Sequence, residues 1–438
     1  MSNVTCTVHG VRKGLPLRKA RFEFGTAPVW TVQGSFGPRK LTPRGCDLID
    51  IAGAIYRVES QIHKRATDPA ILWELTVPVR DPDFWTRTGG ALLGACLGFL
   101  NRSRWIFTFT KRPDAVDFVR PAPDERPVGQ ITLFSGGMDS LSGAGSDEGP
   151  RRAIQLVSFY HGQAKLQSEL AAELGYQPPT QWRLTGRRGK KGMNFIRSFM
   201  FLCLGAAVAE SFGTKRIVQY ENGVLGTAVP QSGNFVPTRH AHPETHRRVV
   251  KLFDAVFESG FTILNPFLAL TKREVGQQLV HTIGAKKAEP LFRRTETCWY
   301  LFQPKVGGLD KANGQPCGVC TPCIVRRTAR PAEASAGAWS DWPGYAFDLK
   351  DTRFGEHLIV GTSFRGYLEL VDIALNAADD TALIDELAPE ARALIDDIAG
   401  PDEALVAGVL RRFANEFCDT FGIAQPGQKA KARKAAKT

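Results

Sequence analysis

The feature that most constrains this chain is the string Ser135-Gly136-Gly137-Met138-Asp139-Ser140, set directly behind the apolar run Ile131-Thr132-Leu133-Phe134. A short apolar run predicts a buried strand. Two glycines behind it predict a tight turn that lets backbone approach a ligand closely. The loop then opens a helix, and a helix start carries N–H groups without intrahelical partners. Main-chain nitrogens and the hydroxyls of Ser135 and Ser140 can therefore surround a phosphate or pyrophosphate. Asp139 would repel phosphate directly, which points to a role through Mg2+, a cation that bridges carboxylate and phosphate oxygens. The string is neither a Walker A loop nor Gly-x-Gly-x-x-Gly. An ordinary strand–helix turn is the alternative. The strand before it, the acid inside it and the alternation after it argue against that reading.

The alternation is regular. Strands are expected at 131–134, 153–160, 181–185, 215–220 and 261–266, with helices at 163–174, 194–212 and 244–258. This is the pattern of an α/β fold with a parallel sheet and helices on both faces. The helix after the loop looks short, ending near Gly145 to Pro150. Residues 1–120 are expected to form an N-terminal α+β accessory domain. There Leu48, Ile51, Ile55, Val58 and Ile62 share one helical face, and Trp105 to Thr110 alternates like a half-buried strand. The polar, proline-rich stretch 121–129 reads as a linker. Residues 130–330 form the nucleotide-binding domain in this division. Beyond a bridge with Trp339 and Trp342, helices are expected at 364–377, 381–398 and 402–418, in a helical C-terminal region over 335–425. Residues 426–438 form a basic tail, better read as a solvated, disordered end than as a binding arm.

Nine cysteines, an odd number unevenly spread, do not suggest a disulfide framework. Cys298, Cys317, Cys320 and Cys323 are spaced Cys-x18-Cys-x2-Cys-x2-Cys. Four thiolates at this spacing suit tetrahedral Zn2+ in a closed, structural site. An iron–sulfur cluster and a redox-active set are the alternatives.

The net charge is +12, part of it in the tail. A basic body fits an anionic ligand such as ATP or a nucleic acid and alone decides neither. The apolar runs are too short to span a bilayer and no signal-peptide stretch opens the chain, so a cytoplasmic protein is expected. His240, His242 and His246 read as a second metal site, a substrate-contacting lid or exposed polar surface. Arg183, Arg187, Arg188, Lys190 and Lys191, after the third strand, are candidates for holding phosphates or an anionic partner, or form a solvated loop. Glu221 and Asn222, after the fourth strand, have the same standing. Lys272, in the first turn of a helix, is either a charge partner for ATP or a surface lysine.

These residues together resemble a known family. The loop resembles the PP-loop of ATP pyrophosphatases, whose fold is adenine nucleotide α-hydrolase-like. Phe159-Tyr160-His161-Gly162-Gln163 is similar to the tyrosine-glycine-glutamine stretch of the 7-cyano-7-deazaguanine synthase (QueC) family. Asn194 opens a helix as an asparagine does there. Asn265-Pro266-Phe267 and Thr271-Lys272-Arg273-Glu274-Val275 resemble a further segment of that family, and Cys317-Gly318-Val319-Cys320-Thr321-Pro322-Cys323-Ile324-Val325-Arg326 resembles its ending. The resemblance covers about 130–330, under half the chain. The long extensions are similar to QueC-like proteins of bacterial anti-phage defence, the QatC type.

The resemblance implies an ATP-dependent C–N ligase that forms AMP and pyrophosphate. It would adenylate 7-carboxy-7-deazaguanine and pass the acyl group to an amine. The amine is either ammonia, leading to 7-cyano-7-deazaguanine, or the N-terminus of a partner protein from the same defence operon. Asp139, Ser140 and Lys272 would be catalytic. Ser135, Gly136, Gly137, Met138, Asp139, Ser140, Tyr160, His161 and Gln163 would bind the nucleotide. Cys298, Cys317, Cys320 and Cys323 would hold Zn2+, and ATP and Mg2+ complete the cofactors. No membrane partner is expected, and nucleic acid is not favoured. The family's usual Asp/Cys/Arg substrate segment is replaced here by the histidine-rich 240–247 stretch. A tRNA-modifying PP-loop thiolase and a non-catalytic zinc-knuckle module are the other classes. The first wants a reactive cysteine that the cluster does not spare, and the intact loop argues against the second.

Overall fold

A computed structural model of the protein describes residues 2–10, 18–24, 29–61, 71–112, 117–159, 163–185, 195–228, 239–329, 344–348, 358–387 and 403–423. In chain order the first elements are β1 (Ser2–Gly10), β2 (Arg18–Phe24), β3 (Trp30–Gln33), α1 (Pro43–Gln61), β4 (Ile71–Val79), α2 (Pro82–Phe84), α3 (Gly90–Asn101) and β5 (Arg104–Lys111). The α/β stretch follows as β6 (Gln130–Leu133), α4 (Met138–Ser146), β7 (Ile154–Phe159), α5 (Ala164–Glu173), β8 (Thr180–Leu184), α6 (Arg197–Phe212), β9 (Arg216–Val218), α7 (Gly223–Gly226), α8 (Pro243–Phe257) and β10 (Thr262–Leu264). Next come α9 (Lys272–Ile283), α10 (Ala285–Arg294), β11 (Lys305–Val306), β12 (Leu309–Asp310), α11 (Thr321–Arg327), α12 (Leu358–Asn376), α13 (Asp380–Glu386) and α14 (Glu403–Phe421).

The chain divides into two compact units, each assembled from separated stretches. The first holds Met1–Ser135, Glu148–Gln219 and Thr238–Asn265; the second holds Gly136–Asp147, Tyr220–Pro237 and Pro266–Thr438.

The first unit contains two sheets. One has the order β2-β1-β4-β5, with β1 antiparallel to both neighbours and β4 parallel to β5. The other has the order β10-β9-β6-β7-β8-β3. Its five strands from the α/β stretch are parallel, and all five fall where the apolar runs place them. The order reverses beside β6, which pairs with β7 on one edge and β9 on the other. Connections of the βαβ type dictate this arrangement, because a parallel neighbour needs a crossover long enough to hold a helix. Helix α6 packs against β6, β7 and β9, and its Gly205 lets Leu133 close in: a Cβ there would stand 2.7 Å from Leu133 Cδ2.

Strand β3 pairs antiparallel with β8, Trp30 opposite Leu184 and Gln33 opposite Gln181. The early chain therefore completes the edge of the second sheet, and a division near 120–130 separates stretches that share it. In helix α1 every residue from Gly45 to Glu59 is buried, so the burial extends well beyond the apolar face. Its polar groups are paired inside. Asp47 and Asp50 meet Arg80 at 3.0 and 2.8 Å, and Asp50 meets Arg112 at 3.1 Å. Pairing of this kind is what makes ionised groups tolerable in a core.

The second unit is mostly helical, with β11 and β12 paired antiparallel as a short hairpin. Helix α4 packs on α9, and α9 on α10. Helices α12, α13 and α14 form a small bundle around Tyr367, Leu383, Ile384, Phe413 and Phe417, all buried. Val406, Leu410, Phe413 and Phe417 recur at helical spacing on α14 and face that core. Helix α13 ends earlier than its periodicity predicts. Leu387 is already extended (φ −69°, ψ 171°) and closes the helix. The rest of the expected 381–398 helix, with Trp339 and Trp342, lies outside the described residues.

Candidate functional site

The loop behind β6 folds as its glycines require. Gly136 takes φ +81°, the left-handed region that glycine enters without a Cβ penalty. Gly137 is extended (φ −82°, ψ 167°) and caps α4 without offering a side chain. Ser140 Oγ donates to the Gly137 carbonyl at 3.0 Å, and the Leu141 amide donates to the same oxygen at 3.0 Å. The Ser135 carbonyl accepts from Gln167 Nε2 at 3.1 Å. Met138 is fully buried, so its main chain is what it can offer a ligand.

Asp139 is the centre of a buried constellation within the second unit. Lys272 Nζ lies 2.7 Å from its Oδ1, with both side chains over nine-tenths buried. The ammonium is thus the charged partner of Oδ1. Oδ2 accepts from the Asn222 side-chain amide at 3.0 Å and from the Asn222 backbone at 3.4 Å. The same amide donates to Glu221 Oε1 at 3.0 Å. Burial raises the Asp139 carboxyl to about 6; Lys272 opposes this and the nearby Glu221 carboxylate adds to it.

Each partner is fixed by its own element. Asn222 caps α7, its Oδ1 accepting from the Leu225 amide at 3.3 Å. Gly223 is required there, because a Cβ would stand 2.1 Å from the Leu268 carbonyl oxygen. Lys272 opens α9, whose start is a reciprocal capping box. The Thr271 hydroxyl accepts from the Glu274 amide at 3.2 Å, and Glu274 Oε2 accepts from the Thr271 amide at 2.8 Å. The segments leaving the carboxyl ends of β6, β9 and β10 thus supply Asp139, Glu221 with Asn222, and Lys272.

The four cysteines are brought together. Their sulfurs all lie within 4.8 Å of one another, and Cys317 Sγ stands 3.9 Å from Cys323 Sγ. A tetrahedron with Zn–S bonds of about 2.3 Å has S···S edges of about 3.8 Å, so the donor set fits a metal ion such as zinc. Backbone amides of Tyr300 and Cys317 donate to Cys298 Sγ at 3.3 and 3.2 Å. Hydrogen bonds from the other three thiols hold Cys298 well below the usual thiol range. The knuckle turns at Gly318 (φ +83°), where a Cβ would meet Arg327 Nη2 at 2.6 Å. Buried Arg326 ties the helix behind the knuckle to the carbonyls of Thr295 and Phe292 at 2.5 and 2.7 Å. Among the described residues, this is the one group of three or more His, Cys, Asp or Glu side chains able to share an ion.

The other candidates separate. The histidine cluster is a helix start: His242 Nδ1 accepts from the Glu244 amide at 3.1 Å, and His246 Nε2 meets Gln219 Oε1 at 3.1 Å. Burial, with His240 and His242 nearby, lowers His246 to about 3 and keeps it neutral. Arg183 lies within β8, exposed, rather than after it. Gln163 caps α5. Tyr160, His161, Asn194, Arg187, Arg188, Lys190 and Lys191 lie outside the described residues. Among those described, no helix is long and apolar enough to cross a membrane.

Sequence reasoning marked Asp139, Asn222 and Lys272 separately and missed their convergence, along with the Thr271 cap that sets Lys272. The Thr-x-x-Glu spacing of 271–274 was the available signal. Comparison with models of known protein families gives no match for this chain, and comparison with curated proteins gives none either.

Proposed function

We propose that the protein is an ATP-dependent ligase of the PP-loop class. In this reading it adenylates the carboxylate of 7-carboxy-7-deazaguanine and transfers the acyl group to an amine, as the QueC-like resemblance implies. The observation that carries the reading is the buried Asp139–Lys272–Asn222 constellation behind a left-handed glycine.

The chain's residues divide the work as follows. The amides that open α4, with Ser135 and Ser140, hold the pyrophosphate part of the nucleotide. Lys272 neutralises charge on the departing pyrophosphate. Asp139 and Glu221 present carboxylate oxygens, the donors Mg2+ takes, and are the residues that would hold it. The ion, when bound, offsets phosphate charge. The chemistry balances simply. A carboxylate oxygen attacks the α-phosphorus, the bond to pyrophosphate breaks, and an acyl-adenylate forms. An amine then attacks the acyl carbon, AMP leaves, the amine gives up a proton and an amide results. On the ammonia branch a second ATP adenylates the amide oxygen with release of pyrophosphate. Departure of that oxygen in AMP, with loss of two protons, gives the nitrile. No protein nucleophile is needed. The cysteine centre is structural in this scheme, its four donors leaving no open position.

The acceptor is ammonia or a protein N-terminus of the same defence operon. The long segments around the loop-bearing region favour a macromolecular acceptor. Mass spectrometry of products formed with ATP, the deazaguanine acid and either acceptor tests this. A partner carrying the deazaguanine acyl mass supports the conjugating reading. An unmodified partner beside free nitrile returns the protein to plain biosynthesis. Absence of AMP with every acceptor removes the ligase reading.

A further inference from the structure

Helix α14 reaches the segment that carries Lys272 through several residues of one face. Glu416 Oε1 accepts from the Thr271 hydroxyl at 2.7 Å. Arg273 donates to the Glu416 carbonyl at 3.4 Å and to Thr420 Oγ1 at 3.2 Å, and pairs with Asp419 at 3.0 Å. Arg412 pairs with Glu274 Oε1 at 2.8 Å and donates to the Ala269 carbonyl at 2.6 Å. Lys272 is thus bracketed on both sides by residues tied to the C-terminal helix, while its own side chain points to Asp139.

We infer that Glu416 is a positioning residue for Lys272: by fixing the Thr271 hydroxyl it holds the first turn of α9, and so keeps the ammonium against Asp139. The inference rests on the reading that Asp139 and Lys272 serve the nucleotide. Its physical basis is the capping box. The Thr271 oxygen must accept from the Glu274 amide, so its proton needs an acceptor elsewhere, and Glu416 Oε1 is that acceptor. The acid is expensive to keep there, since its Oε2 is covered and has no hydrogen-bond partner among the described residues. Burial raises it to about 7, with Thr271, Arg273 and Arg412 opposing and Glu274 adding to the shift. Oε1 accepts whether the acid is charged or neutral, so glutamine can serve the same hydroxyl. An α14 with this role is part of the site's framework rather than a dispensable appendage.

The test compares Glu416→Ala and Glu416→Gln in the full chain. It uses amide hydrogen exchange over residues 271–275 and carboxylate-dependent ATP–pyrophosphate exchange, with thermal melting to separate local loosening from loss of the fold. Losing a hydrogen bond to a carboxyl should raise exchange of the Thr271 and Glu274 amides about tenfold in E416A and lower kcat about tenfold, with KM for ATP moving less than about threefold. Glu416→Gln should stay within about twofold of the parent in both readouts, since it keeps the acceptor. E416A behaving like the parent, or E416Q falling as far as E416A, overturns the inference. If the parent shows no pyrophosphate exchange, the nucleotide reading fails. The amide exchange then decides the clamp alone, and unchanged amides in E416A overturn it.

Discussion

The ammonium of Lys272 lies 2.7 Å from Oδ1 of Asp139, and both side chains are buried. Removing one member of such a pair leaves the other charge without compensation, a loss on the order of 3–5 kcal/mol. Lys272→Met should therefore destabilise the protein by about that amount in denaturant unfolding. Adding Asp139→Asn to Lys272→Met should recover part of the stability and none of the pyrophosphate exchange. Recovery of exchange in the double variant would show that the pair is only structural.

The Asp139 carboxyl gives stability a pH dependence of defined sign. Its pKa rises from an ordinary 3.8 to about 6 through burial. Between those values the folded chain binds the extra proton, so the contribution is present below about pH 4 and lost as pH climbs through about 6. Asp139→Asn should flatten that part of the stability profile. Glu416, raised from 4.5 to about 7, contributes a slope of the same sign that Asp139→Asn leaves in place. Activity should run the other way, because the ionised carboxylate is the working form. The rate should fall below about pH 6 in parent protein, with an apparent pKa that belongs to the Asp139–Lys272–Glu221 group.

Cys320→Ser should remove bound metal and soluble protein together, because metal binding and folding are linked at a four-thiolate site. Elemental analysis of the parent should find about one zinc per chain, the occupancy of one tetrahedral centre. Active protein with no metal would contradict this. Cys203→Ala, at a buried cysteine outside the cluster, should leave metal content unchanged.

Gly143 on α4 stands against Tyr220, where a Cβ would lie 2.1 Å from ring atom Cγ. Tyr220 is itself held by its hydroxyl, which donates to Asp147 at 3.0 Å. Gly143→Ala should cost about 1–3 kcal/mol in unfolding experiments, the range for overpacking a filled core. Gly143→Ala with Tyr220→Ala should recover part of that. A neutral Gly143→Ala would mean the helix and the ring move apart freely.

Much of the second sheet was legible because its central strands β6 and β7 are short, largely apolar runs while β8 alternates buried and more exposed residues. Ile131 to Phe134 and Ile154 to Phe159 needed only local pattern. Strand order was not legible, because pairing depends on contacts far apart in the chain. The four residues of β3 carry too little pattern to announce that they pair with β8. The cysteine centre was legible for the opposite reason, since three of its ligands sit within one knuckle. Lys272 could be read as a first-turn lysine, but a buried lysine and a surface one look alike until Asp139 is beside it. His242 misled because its side chain caps a helix, a role serine or aspartate more often fills. Glu416 gave no signal, as one acid on the polar side of an amphipathic helix.

The most direct measurement is ATP–pyrophosphate exchange by the full-length protein with 7-carboxy-7-deazaguanine, set beside Asp139→Ala. The account predicts exchange that requires the carboxylate in the parent and falls at least about a hundredfold in the variant, the scale on which losing one preorganised charge slows a reaction. Exchange of equal size in both proteins, or none in the folded parent, would contradict it.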